Sequence, residues 1–201
     1  MTRISIIIPV YKVEGYVQHC LESVVAQECA EAEIECVIVD DCSPDGSMDI
    51  VRRMVDSYQG TIIFRILVHE KNKGLSAARN TGMENATGDY FLFIDSDDYL
   101  EPGSIRYFMD NLQLHPDVDM LQANIKNCKA NNYLITGIQE PWLIDNPDVF
   151  FGRMLHHQIY AQAVNKLMRR DLLVRNGFRF IEGILYEDQS WSYHLYSHLS
   201  S

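Results

Sequence analysis

The sequence predicts an α/β protein: a mostly parallel central sheet flanked by helices, in a single domain. Three observations carry this reading. Residues 4–8, 35–39 and 90–94 are runs dominated by branched and aromatic residues, the pattern of strands buried on both faces. Segments of helical periodicity separate them, so strand and helix alternate through the first 124 residues. Two of the strands end abruptly in acid, at Asp40-Asp41 and at Asp95-Ser96-Asp97-Asp98. Open α/β sheets bind ligands outside the carboxyl ends of their strands, which is where these aspartates fall.

Taken in order, the first strand covers 4–8 and is ended by Pro9, whose missing N–H suits a strand end. A helix over 14–27 follows, with Val17, Leu21, Val24 and Val25 on one face. After the second strand, Ser43-Pro44-Asp45-Gly46-Ser47 is a turn and helix-start signal, and the helix runs to about Tyr58. A third strand covers 62–68, and a polar loop leads into a helix over 75–86 that is rich in small residues. The fourth strand carries the longer acidic stretch. Glu101-Pro102-Gly103 then opens a helix, and 119–124 reads as a fifth strand. From about Lys126 the pattern loosens: a strand over 133–138, a helix capped by Asn146-Pro147-Asp148, and a helix over 167–176 closed by Asn176-Gly177. Tyr186-Glu187-Asp188 precedes the last helix, which places Asp188 at or near a helix N-terminus. Residues 125–201 are therefore expected to lie over a sheet built by residues 1–124. The last helix meets Ser200-Ser201 almost at once, so a fragment of a longer protein is expected.

A length of 201 residues with 47% hydrophobic and 22% charged residues suits one globular domain with a sizeable core. The net charge of −11 argues against a nucleic-acid binder, which would show a basic face. It leaves room for a nucleotide if a cation supplies positive charge locally. The five cysteines, Cys20, Cys29, Cys36, Cys42 and Cys128, form no CxxC pair, which implies reduced thiols and a cytosolic compartment. The first apolar run is too short for a signal peptide, and no segment is long enough to span a bilayer.

Three carboxylates in four residues need raised pKa values or a cation beside them. Mg²⁺ and Mn²⁺ are held by one or two carboxylates plus phosphate oxygens, so a metal diphosphate explains acidic strand ends in an acidic protein. The alternatives stay open on these residues alone: Asp and Ser are common in turns, and Asp41 and Asp98 can be read as helix N-caps. Two other phosphate sites are excluded, since neither G-x-G-x-x-G nor G-x-x-x-x-G-K-[ST] is present. Arg79, among the small residues of 73–80, can pair with a diphosphate through its planar fork, although a helix arginine is more often solvated. His194 and His198 have i, i+4 spacing but lack the partnered Glu of a zinc helix. Trp142 and Trp191 read as packed aromatics.

Pro9-Val10-Tyr11, Val39-Asp40-Asp41-Cys42-Ser43, the run from Gly74 to Asp98 with Ala78-Arg79-Asn80, Asn165-Lys166-Leu167 and Glu187-Asp188 occur in that order over residues 4–191. This ordered set resembles the inverting family 2 glycosyltransferases of the GT-A fold, the kind that build bacterial capsule, O-antigen or exopolysaccharide. The resemblance implies transfer of a sugar from a nucleoside diphosphate sugar, with a UDP-sugar expected, to a glycan or lipid-linked acceptor. It implies that Pro9, Val10 and Tyr11 form a wall for the base, and that Asp40 or Asp41 binds base and ribose, without deciding which does which. Asp95-Ser96-Asp97 matches the family's D-x-D, with Ser96 in the donor site, Asp95 toward ribose and metal, and Asp97 as the firmest ligand of Mn²⁺ or Mg²⁺. Metal and Arg79 would stabilise the leaving diphosphate, and Asp188 would take the acceptor's proton. Lys12 stands where many relatives carry Asn, and it is left outside the site. The side on which Lys166 lies is undecided. On this reading 1–124 is the nucleotide-sugar half and 125–201 the acceptor side, and membrane contact at the inner face would come through a missing C-terminal region. The rival readings are a non-catalytic nucleotide-sugar-binding module and a sugar nucleotidyltransferase, the latter disfavoured by the absence of a Gly-rich phosphate loop.

Overall fold

The computed structural model describes residues 1–127 and 161–199, together with 132, 133, 144, 146, 149, 152, 153 and 159. The elements in chain order are β1 (Thr2–Val10), α1 (Val17–Val25), β2 (Ala32–Asp40), α2 (Ser47–Ser57), β3 (Ile63–Val68), α3 (Leu75–Asn85), β4 (Tyr90–Phe93) and α4 (Ser104–Leu114). They continue with β5 (Met120–Gln122), β6 (Lys126–Asn127), β7 (Asn132–Tyr133), β8 (Lys166–Arg169), α5 (Arg170–Arg175) and α6 (Glu187–Tyr196). Six strands form the sheet in the order β3-β2-β1-β4-β8-β5, and β6 pairs with β7 in a separate ribbon. β3, β2, β1 and β4 are mutually parallel, whereas β8 runs antiparallel to both β4 and β5.

The predicted α/β class and its first four strands stand, with small changes at the ends. β1 continues through Pro9, pairing it with Val39. The Ile7 carbonyl accepts from Ile94 N–H, so Pro9, two residues on, faces the β4 side, past that strand's last rung at Phe93. No ladder donor is lost there, which is why a proline is tolerated inside the strand. A larger correction concerns 167–176, expected as one helix. Lys166–Arg169 is a strand wedged between β4 and β5, and only Arg170–Arg175 is helical. Leu167 and Met168, on opposite faces of this strand, are both fully buried, one in each core. The C-terminal signal holds: Gly177 has φ 63°, and its N–H and that of Phe178 donate to the Val174 and Leu173 carbonyls, closing a Schellman motif. The strand expected over 133–138 and the helix after Asn146 lie largely outside the described residues.

Each face of the sheet carries one core. On one side Val17, Leu21 and Val24 of α1, Val51 of α2 and Phe108 of α4 pack on Ile4, Ile6, Ile8, Ile38 and Leu92. On the other, Ala78 of α3 and Trp191, Leu195 and Tyr196 of α6 pack on Ile7, Val37, Phe91 and Phe93. The C-terminal segment thus supplies both a strand and much of one core. Trp191 stacks on Phe180 at 4.7 Å and 7° and meets Phe93 edge-on, the packed state expected of it.

A polar pin locks the start of β4. Glu35, buried in β2, accepts from Ser5 Oγ, from the Thr87 and Gly88 N–H groups and from Thr87 Oγ1. Burial works to raise its carboxyl, but these donors hold it below the usual range. Gly88 permits the approach, since a Cβ there would sit 2.5 Å from Ser5 Oγ and 2.7 Å from the Ser5 backbone nitrogen. Gly88→Ala is therefore expected to destabilise the fold by about 1–3 kcal/mol, read as a lower urea midpoint at unchanged m-value.

Candidate active site

The register brings the predicted acids to one edge. Asp40 lies level with Val10, and Asp95, two residues beyond Phe93, comes level with Pro9. β8 starts at the same edge, because Leu167 pairs with Leu92. Backbone strain gathers here too. Among the described residues four non-glycines have positive φ: Lys12 after β1, Cys42 after β2, Asn165 before β8 and Tyr186 before α6. Such conformations cost free energy and concentrate at functional sites.

Arg79 is the centre of the arrangement. It sits on α3 with 1% of its side chain exposed. Nη2 donates to Asp95 Oδ1 at 2.8 Å, and Nη1 donates to Glu187 Oε1 and Asp188 Oδ1, each at 2.9 Å. The guanidinium also lies over the Phe180 ring at 5.2 Å. Burial opposes its charge, but Asp95 and Asp188 more than offset this and raise its pKa. Next to it, Asn80 exchanges two hydrogen bonds with the Phe180 backbone, at 2.9 Å and 2.8 Å. The Arg79-Asn80 pair thus ties the C-terminal segment to the strand ends, a role that the sequence does not reveal for a helix arginine.

Asp188 stands on the first turn of α6, as expected, but no side chain caps this helix. Its Oδ1 faces Arg79, and its Oδ2 accepts from Ala163 N–H at 3.4 Å. Glu187 is raised by burial and by the adjacent Asp188, against the opposing pull of Arg79. A cavity of about 380 Å³ opens beside them, lined by Ala161, Gln162, Tyr186, Glu187, Asp188 and Gln189. Glu187, to which the motif alone assigns no role, lies beside the base candidate on the same guanidinium.

The two aspartates after β2 are not equivalent. Asp41 is buried and fully engaged: Oδ1 meets His69 Nδ1 at 2.7 Å and accepts Lys73 N–H at 2.8 Å, while Oδ2 accepts Asn72 Nδ2 and Gly74 N–H. His69 Nε2 lies 2.9 Å from Thr81 Oγ1, so Asp41 fastens the loop before α3 to the helix itself. Asp40 accepts Ser43 N–H at 2.8 Å. Neither caps a helix, and neither does Asp98, since α4 begins at Ser104 behind Gly103. Val10 is fully buried, while Tyr11 is exposed and carries the Lys12 ammonium over its ring at 5.2 Å. Ser96 is buried between two exposed or part-exposed aspartates.

The metal that the D-x-D implies can be weighed on the donor set. Among the described residues no three His, Cys, Asp or Glu side chains cluster as a complete cage. Yet Asp95, Asp97 and Asp98 make a strongly negative corner. Cys20 beneath them is pushed up to about 12 by burial and by these three carboxylates, and Asp98 is raised by burial and by the other two. Two hard oxygen donors with charge to spare fit Mg²⁺ or Mn²⁺ completed by phosphate oxygens. The exposed His194 and His198 pack over the buried ring of Phe178. Among the described residues no helix is long and apolar enough to cross a membrane.

Lys166 is fully buried at the start of β8, donating to the Gln162 carbonyl and, at 3.2 Å, to Asn165 Oδ1. It thereby holds the wall that presents Ala163 N–H to Asp188. Burial lowers its pKa to about 7, against the attraction of Asp188. Between pH 7 and the unfolded value near 10.5, the unfolded chain carries a proton that the folded chain lacks, so stability should rise with pH. We expect the difference in unfolding free energy between wild type and Lys166→Met to climb over pH 7–9, approaching about 1.4 kcal/mol per unit.

A largely parallel sheet with acids gathered at its carboxyl edge defines an α/β protein with a ligand crevice at that edge. Residues 5–176 match the model of glycosyl transferase family 2, and the chain belongs to that family. It is 30% identical over 94% of its length to the uncharacterized glycosyltransferase YibD of Escherichia coli, of which it spans 55%. It is 30% identical over 96% of its length to a poly(ribitol-phosphate) beta-glucosyltransferase of Bacillus spizizenii, of which it spans 29%. Among solved structures, Staphylococcus aureus TarS 1–349 in complex with UDP-GlcNAc superposes with a TM-score of 0.81 at 26% identity, covering 98% of this chain and 54% of that one. The fold is the GT-A glycosyltransferase fold.

Proposed function

We propose that the chain carries the donor site and catalytic base of a metal-dependent, inverting glycosyltransferase that uses a UDP-sugar in cell-surface polysaccharide synthesis. The observation that carries this reading is Arg79, which joins the D-x-D carboxylate Asp95 to the Glu187-Asp188 pair across one guanidinium. Two motifs 92 residues apart thereby become one site. The base rests against Tyr11 and Pro9, and Asp40 takes its polar edge or the ribose, since Asp41 is already spent on the loop before α3. Asp97 and Asp95 would hold Mg²⁺ or Mn²⁺ with the diphosphate, beside Ser96. The cation, when bound, supplies Lewis-acid stabilisation of the leaving diphosphate. Asp188 takes the proton from the acceptor hydroxyl as it attacks the anomeric carbon from the far face, which inverts that centre. Arg79, with both terminal nitrogens on carboxylates, orients Asp95 at the donor side and Asp188 at the acceptor side. The TarS complex supports UDP-GlcNAc-type donors.

The test is thermal stabilisation by UDP with Mg²⁺ or Mn²⁺. Ligand at 100 times its dissociation constant should add about 2.7 kcal/mol. Asp97→Asn should remove the part that depends on metal. Absence of stabilisation by either UDP or GDP with metal would sink the donor site.

A further inference from the structure

The loops after β1 and β2 carry Tyr11 and Asp40, and a polar network that the donor chemistry leaves unused joins them. Three consecutive amides of the first loop, those of Lys12, Val13 and Glu14, all lead to one carboxylate. Lys12 N–H donates to Ser43 Oγ at 2.8 Å, and Val13 N–H donates to Ser47 Oγ at 2.9 Å. Each hydroxyl donates in turn to Asp45 Oδ1, at 2.7 Å and 2.6 Å. Glu14 N–H reaches Asp45 Oδ2 directly at 3.1 Å, and Glu14 Oε2 returns the tie by accepting Gly46 N–H at 2.7 Å. Hydroxyls that accept from one group while donating to a carboxylate polarise the bonds on either side of them. Burial works to raise the Asp45 carboxyl, but the Ser47 and Ser43 hydroxyls and the Glu14 and Ser47 amides bring it down to about 2, so it is an ionised acceptor at neutral pH.

The network touches both walls of the nucleotide crevice. Ser43 N–H donates to Asp40 Oδ1 at 2.8 Å while the Ser43 hydroxyl holds Lys12, so one residue sets both the acid and the turn that follows Tyr11. Lys12 has φ 56°, a left-handed conformation costly for a long side chain, and its tethered amide helps to hold it there. Asp45 itself is only half-buried, and what it fixes is the placement of one loop against the other.

We propose, resting on the nucleotide-sugar reading above, that Asp45 is a positioning residue of the donor site: through Ser43 and Ser47 it sets the Tyr11-Lys12 turn against Asp40 and so shapes the subsite that selects the nucleotide's base. A carboxylate suits this place because all the partners of its two oxygens are donors. In Asp45→Asn one oxygen can keep the serines, but the amide nitrogen then faces Glu14 N–H, donor against donor.

Calorimetric titration of the whole chain with UDP and with ADP, each with Mn²⁺, tests it. The two ligands share ribose and diphosphate and differ in the base. Asp45→Asn and Ser43→Ala should each weaken UDP about tenfold, and the preference for UDP over ADP should shrink by a similar factor. Ser43→Ala leaves Asp45 and its bonds to Ser47 and Glu14 in place, so it separates the tether to Lys12 from loss of the fold. Unchanged UDP affinity in both variants would overturn the proposal. So would an equal loss for UDP and ADP, because an aspartate that only supports the fold would weaken both alike. A parent that binds neither nucleotide would instead sink the donor reading, and the proposal with it.

Discussion

Replacing Asp188 by Asn is expected to cut sugar transfer about 10²–10⁴-fold while leaving UDP affinity and melting temperature close to those of the parent. The amide is isosteric, and its one oxygen can still accept from Arg79, so of the two contacts only the long one from Ala163 N–H is lost. What it cannot do is accept a proton. In kinetic terms the loss should fall on kcat, since the contact matters in the transition state and the donor is held elsewhere. The measurement also decides between a transferase and a module that only binds nucleotide sugar, because the latter has no turnover to lose. A variant that transferred at the parental rate would remove Asp188 from the reaction.

The second large effect is expected at Arg79. Arg79→Met keeps the length and the apolar stem of the side chain but leaves Asp95, Glu187 and Asp188 facing one another without a counter-charge. Removing one partner of a buried ion pair typically costs 3–5 kcal/mol. Asp95 is 32% exposed and Asp188 23%, so water screens part of the repulsion and the lower end, about 3 kcal/mol, is expected. The sign with pH is definite. Glu187 is already raised by burial and by Asp188, and without the opposing pull of Arg79 it rises further. Groups whose folded pKa is raised favour the fold when protonated, so the deficit should be largest near pH 7.5 and should shrink toward pH 5. Urea titrations of both proteins at the two pH values measure it. A deficit independent of pH would mean that the arginine contributes packing alone. Transfer should fall in the variant as well, because the same contacts orient the base.

Much of this site is legible along the chain because it is written in short, ordered motifs at strand ends. Asp40, Asp95 and Asp97 are marked as candidates by apolar runs that stop in acid, whereas Asp188 is singled out only by the family resemblance. Their division of labour is less visible. Asp41 looks identical to Asp40 in sequence, yet the neighbouring loop supplies four donors and consumes it. Arg79 reads locally as a solvated helix residue, and its burial is decided by carboxylates 16, 108 and 109 positions away. Lys166 is similar, a cation in the core whose partners arrive through the backbone path of 162–165. Among the elements, β1, β2 and β4 declare themselves by unbroken apolar runs. β8 does not: Lys166-Leu167-Met168-Arg169 is short, flanked by charge and followed by good helix formers, and only the slot between β4 and β5 makes it a strand.

That slot has a consequence for biosynthesis. β4 leaves the ribosome some seventy residues before β8, and among the described residues β5 has no neighbour in the sheet except β8. At about 5–20 residues per second, the outer edge of β4 stays open for roughly 4–15 s on each round of translation. During that time the nascent chain presents an aromatic, uncharged strand edge, the kind of template that recruits stray strands or chaperones.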